Sequence, residues 1–365
     1  MTEQLQHNDG ASAERAKYRN AALKAWCTIR RRRREVASRG VRRIEEFLPP
    51  RKVGSLEHPE TLPLEETKKE SFGNGLVKVF QKTPDDIVCG RFWELRWAFG
   101  CPLDCNYCYL RGTMRGRMRP SFVKVEHALA ALDEAFPRIK RPSLFNSGEL
   151  SDSLMNPLHM AKIADKFEAQ EKHKLVTLSK FGPKAVGFLI EKPRKQVICA
   201  WSINSSEVAR RWEKAAAKPD NRIEAASLVA KAGYDIRVRI DPIFPIDDWQ
   251  AHYEDLLYSI FSAFEPRKII LGTPRGLWKT IKYARAAGVD MSWSNYFRED
   301  SGWGKKLDFD QRKELYSWFY DKLSSLGYDR RRVTMCKETR QMWDALSLKY
   351  VPLTCQCYGP AAFNS

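Results

Sequence analysis

Three cysteines lie within eight residues of this chain, in the stretch Gly100-Cys101-Pro102-Leu103-Asp104-Cys105-Asn106-Tyr107-Cys108-Tyr109. Their spacing is C-x3-C-x2-C, and an apolar, strand-like run from Phe92 to Phe99 leads into them. Thiolates this close must share a loop and point at a common centre. A structural zinc site needs four ligands, usually in two C-x2-C pairs, and only Cys89 stands nearby as a fourth. The spacing suits an iron–sulfur cluster better, and three protein ligands on a four-iron cluster leave one iron open.

The same motif, with Tyr107 just before the third cysteine, resembles the signature of radical S-adenosylmethionine (SAM) enzymes. The ending Tyr107-Cys108-Tyr109 resembles the spore photoproduct lyase branch, which repairs a thymine dimer in DNA. The resemblance covers residues 85 to 345. It implies that the open iron binds the amino and carboxylate groups of SAM, and that cleavage of SAM yields a 5′-deoxyadenosyl radical that abstracts a hydrogen atom from the substrate. The implied metal ligands are Cys101, Cys105 and Cys108.

Composition limits the class of protein. The 365 residues are 43% hydrophobic, enough for one large α/β domain with an appendage. No apolar run approaches the roughly 20 residues of a membrane span, and the first ten residues lack a secretory pattern. Nine cysteines are an odd number and three belong to the motif, so a disulfide framework is not expected. We therefore expect a cytoplasmic protein without a membrane partner.

The chain is strongly basic, with a formal net charge of +18. An excess of this size is typical of a polyanionic partner rather than of solubility alone, and clustered cations favour nucleic acid. The family resemblance favours DNA over RNA. One cluster lies in Ser12–Arg43, a segment that reads as one long helix with Ser12 as its N-cap or as a solvated tail. The other directly follows the cysteines. The predicted nucleic-acid-binding residues are Arg30, Arg31, Arg32, Arg33, Arg34, Arg111, Arg115, Arg117 and Arg119.

Strand-like and helix-like segments alternate from about residue 85 onward. The predicted strands are 92–99, 143–146, 175–178, 197–203, 236–240 and 268–271, each followed by a helix. Six such units predict an α/β fold with a parallel sheet, and the family resemblance implies a partial (β/α)6 barrel. We divide the chain into a basic N-terminal helical extension with its linker (1–70), the barrel (71–290), and a C-terminal helical, cysteine-containing segment (291–365) that closes it. Ligands should gather at the carboxyl ends of the strands.

Polar residues stand at these predicted strand ends. The resemblance implies that Gly148 and Glu149 bind the SAM amino group, because a carboxylate holds an ammonium by a charge-assisted hydrogen bond. The alternative is a helix N-cap cluster, since Ser151 and Asp152 follow. The full predicted cofactor-binding set is Tyr107, Gly148, Glu149, Ser179, Lys180, Ser202, Asn204 and Arg239.

Three members of that set carry further expectations. Strand alternation puts Ser202 and Asn204 on one face, and the pair is similar to the SAM contacts of the branch. Arg239 would pair either with the SAM carboxylate or, equally well, with Asp241 or Glu224.

A hydrogen donor is missing from its usual place. Spore photoproduct lyases carry a cysteine at the end of the second strand, but Leu144-Phe145-Asn146-Ser147-Gly148 has none. We therefore predict that the chain is not such a lyase in the strict sense. The predicted catalytic residues are Cys336 and Tyr109, with Lys337 favouring the Cys336 thiolate. Alternatively, a second cluster or a metal binds at Cys336, Cys355 and Cys357, or these are three unrelated thiols.

Three functions are consistent with these patterns. The favoured one is a radical SAM lyase or modifying enzyme that acts on a nucleic-acid base and takes electrons from an external donor such as a flavodoxin or ferredoxin. The second is a radical SAM enzyme on a peptide or small molecule. The third is a nucleic-acid-binding iron–sulfur protein without radical chemistry. Polar strand ends around the cysteines count against the third, and clustered cations favour the first over the second.

Overall fold

The structure is a computed structural model that describes residues 71–80, 83–84, 86–89 and 92–348. The predicted arm at 1–70, with Arg30 to Arg34, lies outside the described residues, as do Cys355 and Cys357. Among the helices of the described ranges, none has both the length and the apolar character that a membrane span requires.

Sixteen strands are found in the described residues. They are β1 (Ser71–Phe72), β2 (Val77–Phe80), β3 (Ile87–Val88), β4 (Phe92–Leu95), β5 (Ala98–Phe99), β6 (Ser121–Phe122), β7 (Leu144–Asn146), β8 (Lys174–Ser179), β9 (Val197–Ser202), β10 (Asp235–Ile240), β11 (Lys268–Leu271), β12 (Arg275–Leu277), β13 (Glu299–Ser301), β14 (Gly304–Lys306), β15 (Val333–Met335) and β16 (Glu338–Thr339).

Nine of these strands form the central sheet, in the order β1-β2-β4-β7-β8-β9-β10-β11-β15. From β4 to β15 all neighbours pair in parallel, while β1 and β2 add an antiparallel hairpin at one edge. Every residue of β9 is buried, as expected for a strand covered on both faces. The fold is therefore α/β with a mostly parallel sheet, and the polar ends of seven parallel strands meet at one edge.

Ten α-helices of the described ranges connect and cover the strands. They are α1 (Leu110–Thr113), α2 (Val125–Arg138), α3 (Pro157–Glu168), α4 (Gly187–Glu191), α5 (Ser206–Trp212), α6 (Pro219–Lys231), α7 (Trp249–Ala263), α8 (Trp278–Ala286), α9 (Phe309–Ser325) and α10 (Arg340–Ala345). Side-chain caps begin several of them. Asn156 accepts a hydrogen bond from the His159 amide at 3.1 Å, and Asp308 accepts one from the Gln311 amide at 2.8 Å. Each cap satisfies a backbone donor that the first turn leaves open.

The predicted strands and helices agree with the structure with one main exception. The run 92–99 is not one strand: β4 ends at Leu95, and β5 leaves the central sheet to pair with β6. The indole of Trp97 donates to the Ser147 carbonyl at 2.9 Å, and its own carbonyl accepts from Val123. These contacts turn the chain out of the sheet just before the cysteines.

The C-terminal part of the described chain belongs to the same sheet. β15 pairs in parallel with β11 and forms its outer edge. A small three-stranded sheet, β12-β14-β13, joins residues on both sides of position 290. Sequence patterns did not predict β15 or the small sheet, because each strand is only three residues long and carries too little periodicity to be recognised.

Candidate active site at the carboxyl ends of the parallel strands

The cysteine loop follows β4 and β5 and is fixed by backbone contacts at its start. Gly100 has φ +80°, and a Cβ there would lie 2.7 Å from the carbonyl oxygens of Met118 and Arg119. Only glycine fits this close approach in a left-handed conformation. The Cys101 amide then donates to the Met118 carbonyl at 2.9 Å. The loop is thereby folded back on the chain that leaves it.

Arg111 holds the middle of this loop. Its guanidinium forms an ion pair with Asp104 at 2.5 Å and donates to the Cys105 carbonyl at 3.3 Å. The side chain is buried, whereas Arg115, Arg117 and Arg119 are exposed. Arg111 therefore neutralises Asp104 and shapes the loop, while its nucleic-acid role stays a prediction.

The three thiols of the motif lie in one small apolar cluster. Cys101 and Cys105 are buried and Cys108 is half-buried, with Leu103 and Leu110 packed against them. Burial raises the pKa of all three thiols, that of Cys105 to about 12. No group of three His, Cys, Asp or Glu side chains in the described ranges is arranged to hold one metal ion. An all-thiol donor set with apolar walls nevertheless fits an iron–sulfur cluster, whose ligands are shared among several irons.

A buried network of charges connects the loop to the neighbouring strands. Glu213, which is fully buried, pairs with Lys180 at 2.5 Å and also with Arg222. The hydroxyl of Tyr107 donates to the same carboxylate, and the Lys180 ammonium lies 2.8 Å from that hydroxyl. Burial alone would raise the pKa of Glu213, but Arg222 and Lys180 lower it to about 2. Lys180 and Tyr107, both predicted cofactor contacts, are thus already engaged with Glu213.

Sequence reasoning missed Glu213 and Arg222 altogether. Glu213 follows α5 and Arg222 lies in α6, so neither stands at a strand end. A charged residue in a helical segment usually reads as a solvated face. The one available signal was the buried, apolar character of the residues around Arg222 in α6.

The loop after β7 brings the predicted Gly148 and Glu149 to the same edge. A Cβ on Gly148 would lie 2.7 Å from the Leu178 Cβ, so glycine is needed for close contact with β8. The Glu149 carboxylate pairs with Lys337 at 3.1 Å, and the hydroxyl of Tyr109 donates to the Glu149 carbonyl. These contacts join the cysteine loop, the β7 end and the segment after β15.

Two predicted contacts at the ends of β8 and β9 have structural partners. Ser179 accepts from the Phe181 amide at 2.9 Å. The amide of Asn204 donates to the Pro242 carbonyl at 2.7 Å and accepts from Tyr253 at 3.0 Å, and the residue is 1% exposed. β9 ends at Ser202, so the alternation that was to put residues 202 and 204 on one face does not continue. Both polar atoms of the Asn204 side chain thus have protein partners, and its role in binding SAM stays a prediction.

A second charge cluster lies at the ends of β10 and β11. Arg239 and Arg275 pair with Asp241 at 2.8 and 2.9 Å, which is the alternative expected for Arg239. Burial would raise the pKa of Asp241, but the two arginines lower it to about 2. Arg239 also donates to the Cys336 Sγ at 2.7 Å. The carboxylate therefore orients the arginine that contacts the thiol.

Cys336 lies directly after β15 and is 8% exposed. Burial raises its pKa, although Arg239, Arg275 and Lys337 act in the opposite direction. Lys337 favours the thiolate, as expected, but desolvation outweighs all three cations and the net effect is a raised pKa of Cys336. The Lys337 ammonium instead contacts Glu149 and lies 4.4 Å from the centroid of the Phe80 ring. A second cluster at Cys336, Cys355 and Cys357 has no support in these contacts.

A small basic cleft opens beside Cys336, between the small sheet and β16. The Arg275 guanidinium that lines it donates to the Cys336 carbonyl at 3.2 Å. Five cations and one carboxylate line the cleft: Arg275, Lys305, Lys306, Arg312, Lys337 and Glu338. Each of the five cations also has a carboxylate partner, which offsets part of the positive charge of the lining.

Residues 91–269 match the family model described as spore photoproduct lyase. Over this stretch, just under half of the chain, the sequence is similar to the spore photoproduct lyases. The resemblance predicted from the cysteine motif is therefore confirmed. The matched proteins are named as lyases, in agreement with the predicted enzyme class.

Curated relatives carry the same name. The spore photoproduct lyase of Bacillus subtilis (strain 168) is 27% identical over 235 residues, which are 62% of this chain and 65% of that protein. That of Geobacillus sp. (strain Y412MC61) is 28% identical over 257 residues, 68% of this chain and 71% of the relative. The match thus spans just under two thirds of the length of the Bacillus protein.

Solved structures agree on the fold. A spore photoproduct lyase complexed with dinucleoside spore photoproduct matches with a TM-score of 0.57 and 19% identity, over 67% of this chain and 75% of that chain. A mutant of the lyase with bound AdoMet and the same dinucleoside matches with the same TM-score. These similarities establish the α/β fold of the chain.

The buried Glu213 network generates a prediction for stability. Glu213→Gln leaves the Arg222 guanidinium buried without its counter-charge, and we expect the free energy of unfolding to fall by about 3 kcal/mol at neutral pH. The folded pKa of Glu213 lies near 2 against an ordinary 4.5. Its contribution is therefore present above pH 4.5 and is lost as the pH falls toward 2.

Urea unfolding of wild type and variant from pH 7 to about pH 3 measures this difference. Glu224→Gln, at an exposed position of the same helix α6, is the matched control and should change little. A Glu213→Gln effect as small as that of the control, or one that does not shrink at acid pH, would contradict the prediction.

Proposed function

We propose that the chain is a radical SAM enzyme that acts on a base in nucleic acid, as a repair or modifying enzyme similar to spore photoproduct lyase. The observation that carries this proposal is the meeting of three thiols with ionic partners at one edge of a parallel sheet. A 4Fe–4S cluster held by Cys101, Cys105 and Cys108 would supply the reductive cleavage of SAM. We propose further that the sheet is the partial (β/α)6 barrel of this superfamily.

Glu149 is the best-supported residue for holding the SAM ammonium. Its carboxylate is 15% exposed at the mouth of the site and its present partner is an ammonium, that of Lys337 at 3.1 Å. A substrate ammonium would make the same charge-assisted bond. Gly148 supports Glu149 by letting the loop lie close to β8. Arg239 and Lys180, with Ser179, Ser202 and Tyr107, form the surrounding walls and hold the polar edge in place.

A nucleic-acid substrate is supported by charge and position. The net charge is +18, and exposed Arg115, Arg117 and Arg119 begin six residues after Tyr109. The basic cleft beside Cys336 adds a second group of cations at the same edge. The spore photoproduct lyase relatives include one complexed with a dinucleoside spore photoproduct. DNA is therefore the proposed polymer, and an acidic flavodoxin or ferredoxin is the proposed electron donor.

Cys336 is the proposed hydrogen-atom donor. Because burial raises its pKa, the sulfur keeps its proton at neutral pH and an S–H bond is available. In the proposed step this bond breaks and a C–H bond forms on the substrate radical, which leaves a thiyl radical on Cys336. A hydrogen atom from 5′-deoxyadenosine or from an added thiol restores it. Tyr109 is the second proposed catalytic residue. Its hydroxyl donates to the Glu149 carbonyl, and the residue lies close to Cys108.

A radical SAM enzyme on a peptide or small molecule is the second candidate function. The polar strand ends and the thiol loop support it equally, and only the clustered cations distinguish the two. A nucleic-acid-binding protein without radical chemistry is the third.

The first prediction in this group concerns the cluster. We expect anaerobically reconstituted protein to carry four irons and to form 5′-deoxyadenosine from SAM, with a several-fold higher yield when an oligonucleotide containing the correct base is present. Cys101→Ala, Cys105→Ala and Cys108→Ala should each abolish the product. Cys199→Ala, which removes a buried thiol inside β9, is the matched control. Full activity of Cys105→Ala, or eight irons per chain, would refute the assignment.

The second prediction concerns Cys336 as the hydrogen-atom donor. In heavy water the exchangeable thiol becomes S–D, so wild-type protein should place one deuterium in the product. Cys336→Ala should lose this label and change the ratio of 5′-deoxyadenosine to product, while Cys199→Ala should retain both. Unchanged labelling in Cys336→Ala would exclude the cysteine as the donor.

The third prediction concerns the N-terminal extension, residues 1–70, which includes Arg30 to Arg34. Deletion of residues 12–43 removes clustered cations, so oligonucleotide affinity and its dependence on salt should both fall. Oligonucleotide-independent cleavage of SAM should continue, because all residues proposed to hold the cluster or SAM lie between positions 101 and 239. Titrations at several salt concentrations test this, and an unchanged salt slope would contradict it.

A further inference from the structure

Helix α8 (Trp278–Ala286) presents cations that the sequence patterns did not single out. Lys279, Lys282 and Arg285 are exposed. No Asp or Glu occurs between Trp278 and Val289, and none of the three cations forms an ion pair within the described part of the chain. Most other basic side chains near the site are paired, such as Arg275 with Asp241. Unpaired cations on one exposed helix leave their charge available to a partner.

The arginine loop that follows the cysteines packs directly on this helix. A Cβ on Gly112 would lie 2.6 Å from the Thr280 amide nitrogen, and the Thr280 hydroxyl donates to the Tyr109 carbonyl at 3.3 Å. Gly116 also lies close to α8, because a Cβ there would be 3.4 Å from Cδ1 of the Tyr283 ring. Loop and helix therefore form one continuous surface. We call it the basic face, and it consists of Arg115, Arg117, Arg119, Lys279, Lys282 and Arg285.

An aromatic side chain lies among these cations. Trp278, the first residue of α8, is 48% exposed, and the Lys305 ammonium is 5.7 Å from its ring centroid. Lys305 also lines the cleft beside Cys336. An exposed indole next to a row of lysines and arginines is typical of surfaces that follow a nucleic-acid strand, because bases stack on the ring while cations contact phosphates. An acidic protein partner would account for the cations but not for the indole.

We propose that the basic face binds the phosphate backbone of the nucleic-acid substrate on one side of the reacting base, with Trp278 stacking on a flanking base. The identification of the polymer rests on the proposed function, while the face itself rests on the contacts above. Because the loop starts directly after Cys108, a backbone held here keeps a base within reach of the strand ends. Lys305 connects the basic face with the cleft, because it contacts the Trp278 ring and also lines the cleft.

Full-length wild-type protein and two triple variants test this proposal by fluorescence anisotropy with a labelled single-stranded and a duplex oligonucleotide. The test variant is Lys279→Gln, Lys282→Gln, Arg285→Gln. The control is Lys195→Gln, Lys231→Gln, Arg267→Gln, which removes the same charge from exposed residues that precede β9, β10 and β11 and so lie at the opposite edge of the sheet.

We expect the test variant to lower the slope of log affinity against log salt by about 2 to 3, since each phosphate contact contributes about 0.7 to 0.9. The control should change the slope by less than about 1 on the same scale. Trp278→Ala should weaken single-strand binding several-fold with the salt slope retained, because the indole carries no charge. All substituted residues are exposed, and circular dichroism confirms that each variant folds.

Equal slopes for the test and control variants would overturn the proposal. Slower reduction by a flavodoxin with unchanged oligonucleotide binding would also overturn it, and would assign the face to an acidic protein. Face-dependent binding without any formation of 5′-deoxyadenosine would support the face while contradicting the proposed enzymatic function. The two conclusions are therefore tested separately.

Discussion

The position of the cysteine loop depends on one buried carboxylate, that of Glu213. It accepts from Tyr107 inside the loop, pairs with Lys180 at the end of β8, and pairs with Arg222, whose guanidinium also donates to the Ser202 carbonyl at the end of β9 at 3.0 Å. A charge in the interior is costly unless every partner is present. With all partners in place, the same charge fixes the loop relative to two strand ends at once. Glycine contacts at position 100 hold its other side.

A second ionic centre, Asp241, organises the opposite part of the edge. Glu213 and Asp241 are alike in one respect. In each, the neighbouring cations outweigh the effect of burial and keep the carboxylate ionised, with a pKa of about 2. Cys336 differs, because its burial outweighs the same kind of cationic neighbours and the thiol keeps its proton. This part of the edge therefore combines fixed charges that position groups with a thiol that keeps its proton. The number of cations does not explain the difference, since three cations act on Cys336 and two on each carboxylate.

Sequence patterns predicted the parallel strands well because each is a short apolar run followed by a helix with its own caps. They also located Gly148, Glu149 and the cysteines, whose signals are local. They did not show the partners that a side chain acquires when the chain folds. Arg111 reads as a surface arginine until Asp104 and the Cys105 carbonyl are seen around it. Asn204 reads as a strand-end ligand, but its partners come from the segments after β10 and in α7. Glu213 gave no local signal, since its meaning arises only from residues brought together by folding.

The contact between Gly112 and Thr280 limits which parts of this structure can change when the sequence changes during evolution. With a Cβ position only 2.6 Å from the Thr280 amide nitrogen, α1 and α8 meet backbone to backbone, and no side chain separates them. The spacing between the outer surface of α8 and the cysteines is thus set by main-chain geometry, independently of which side chains the helix displays. Exposed residues of α8 can be exchanged one at a time under selection for different polymers or lesions. The reactive end of the sheet would keep its shape throughout, so recognition and chemistry can evolve at separate rates.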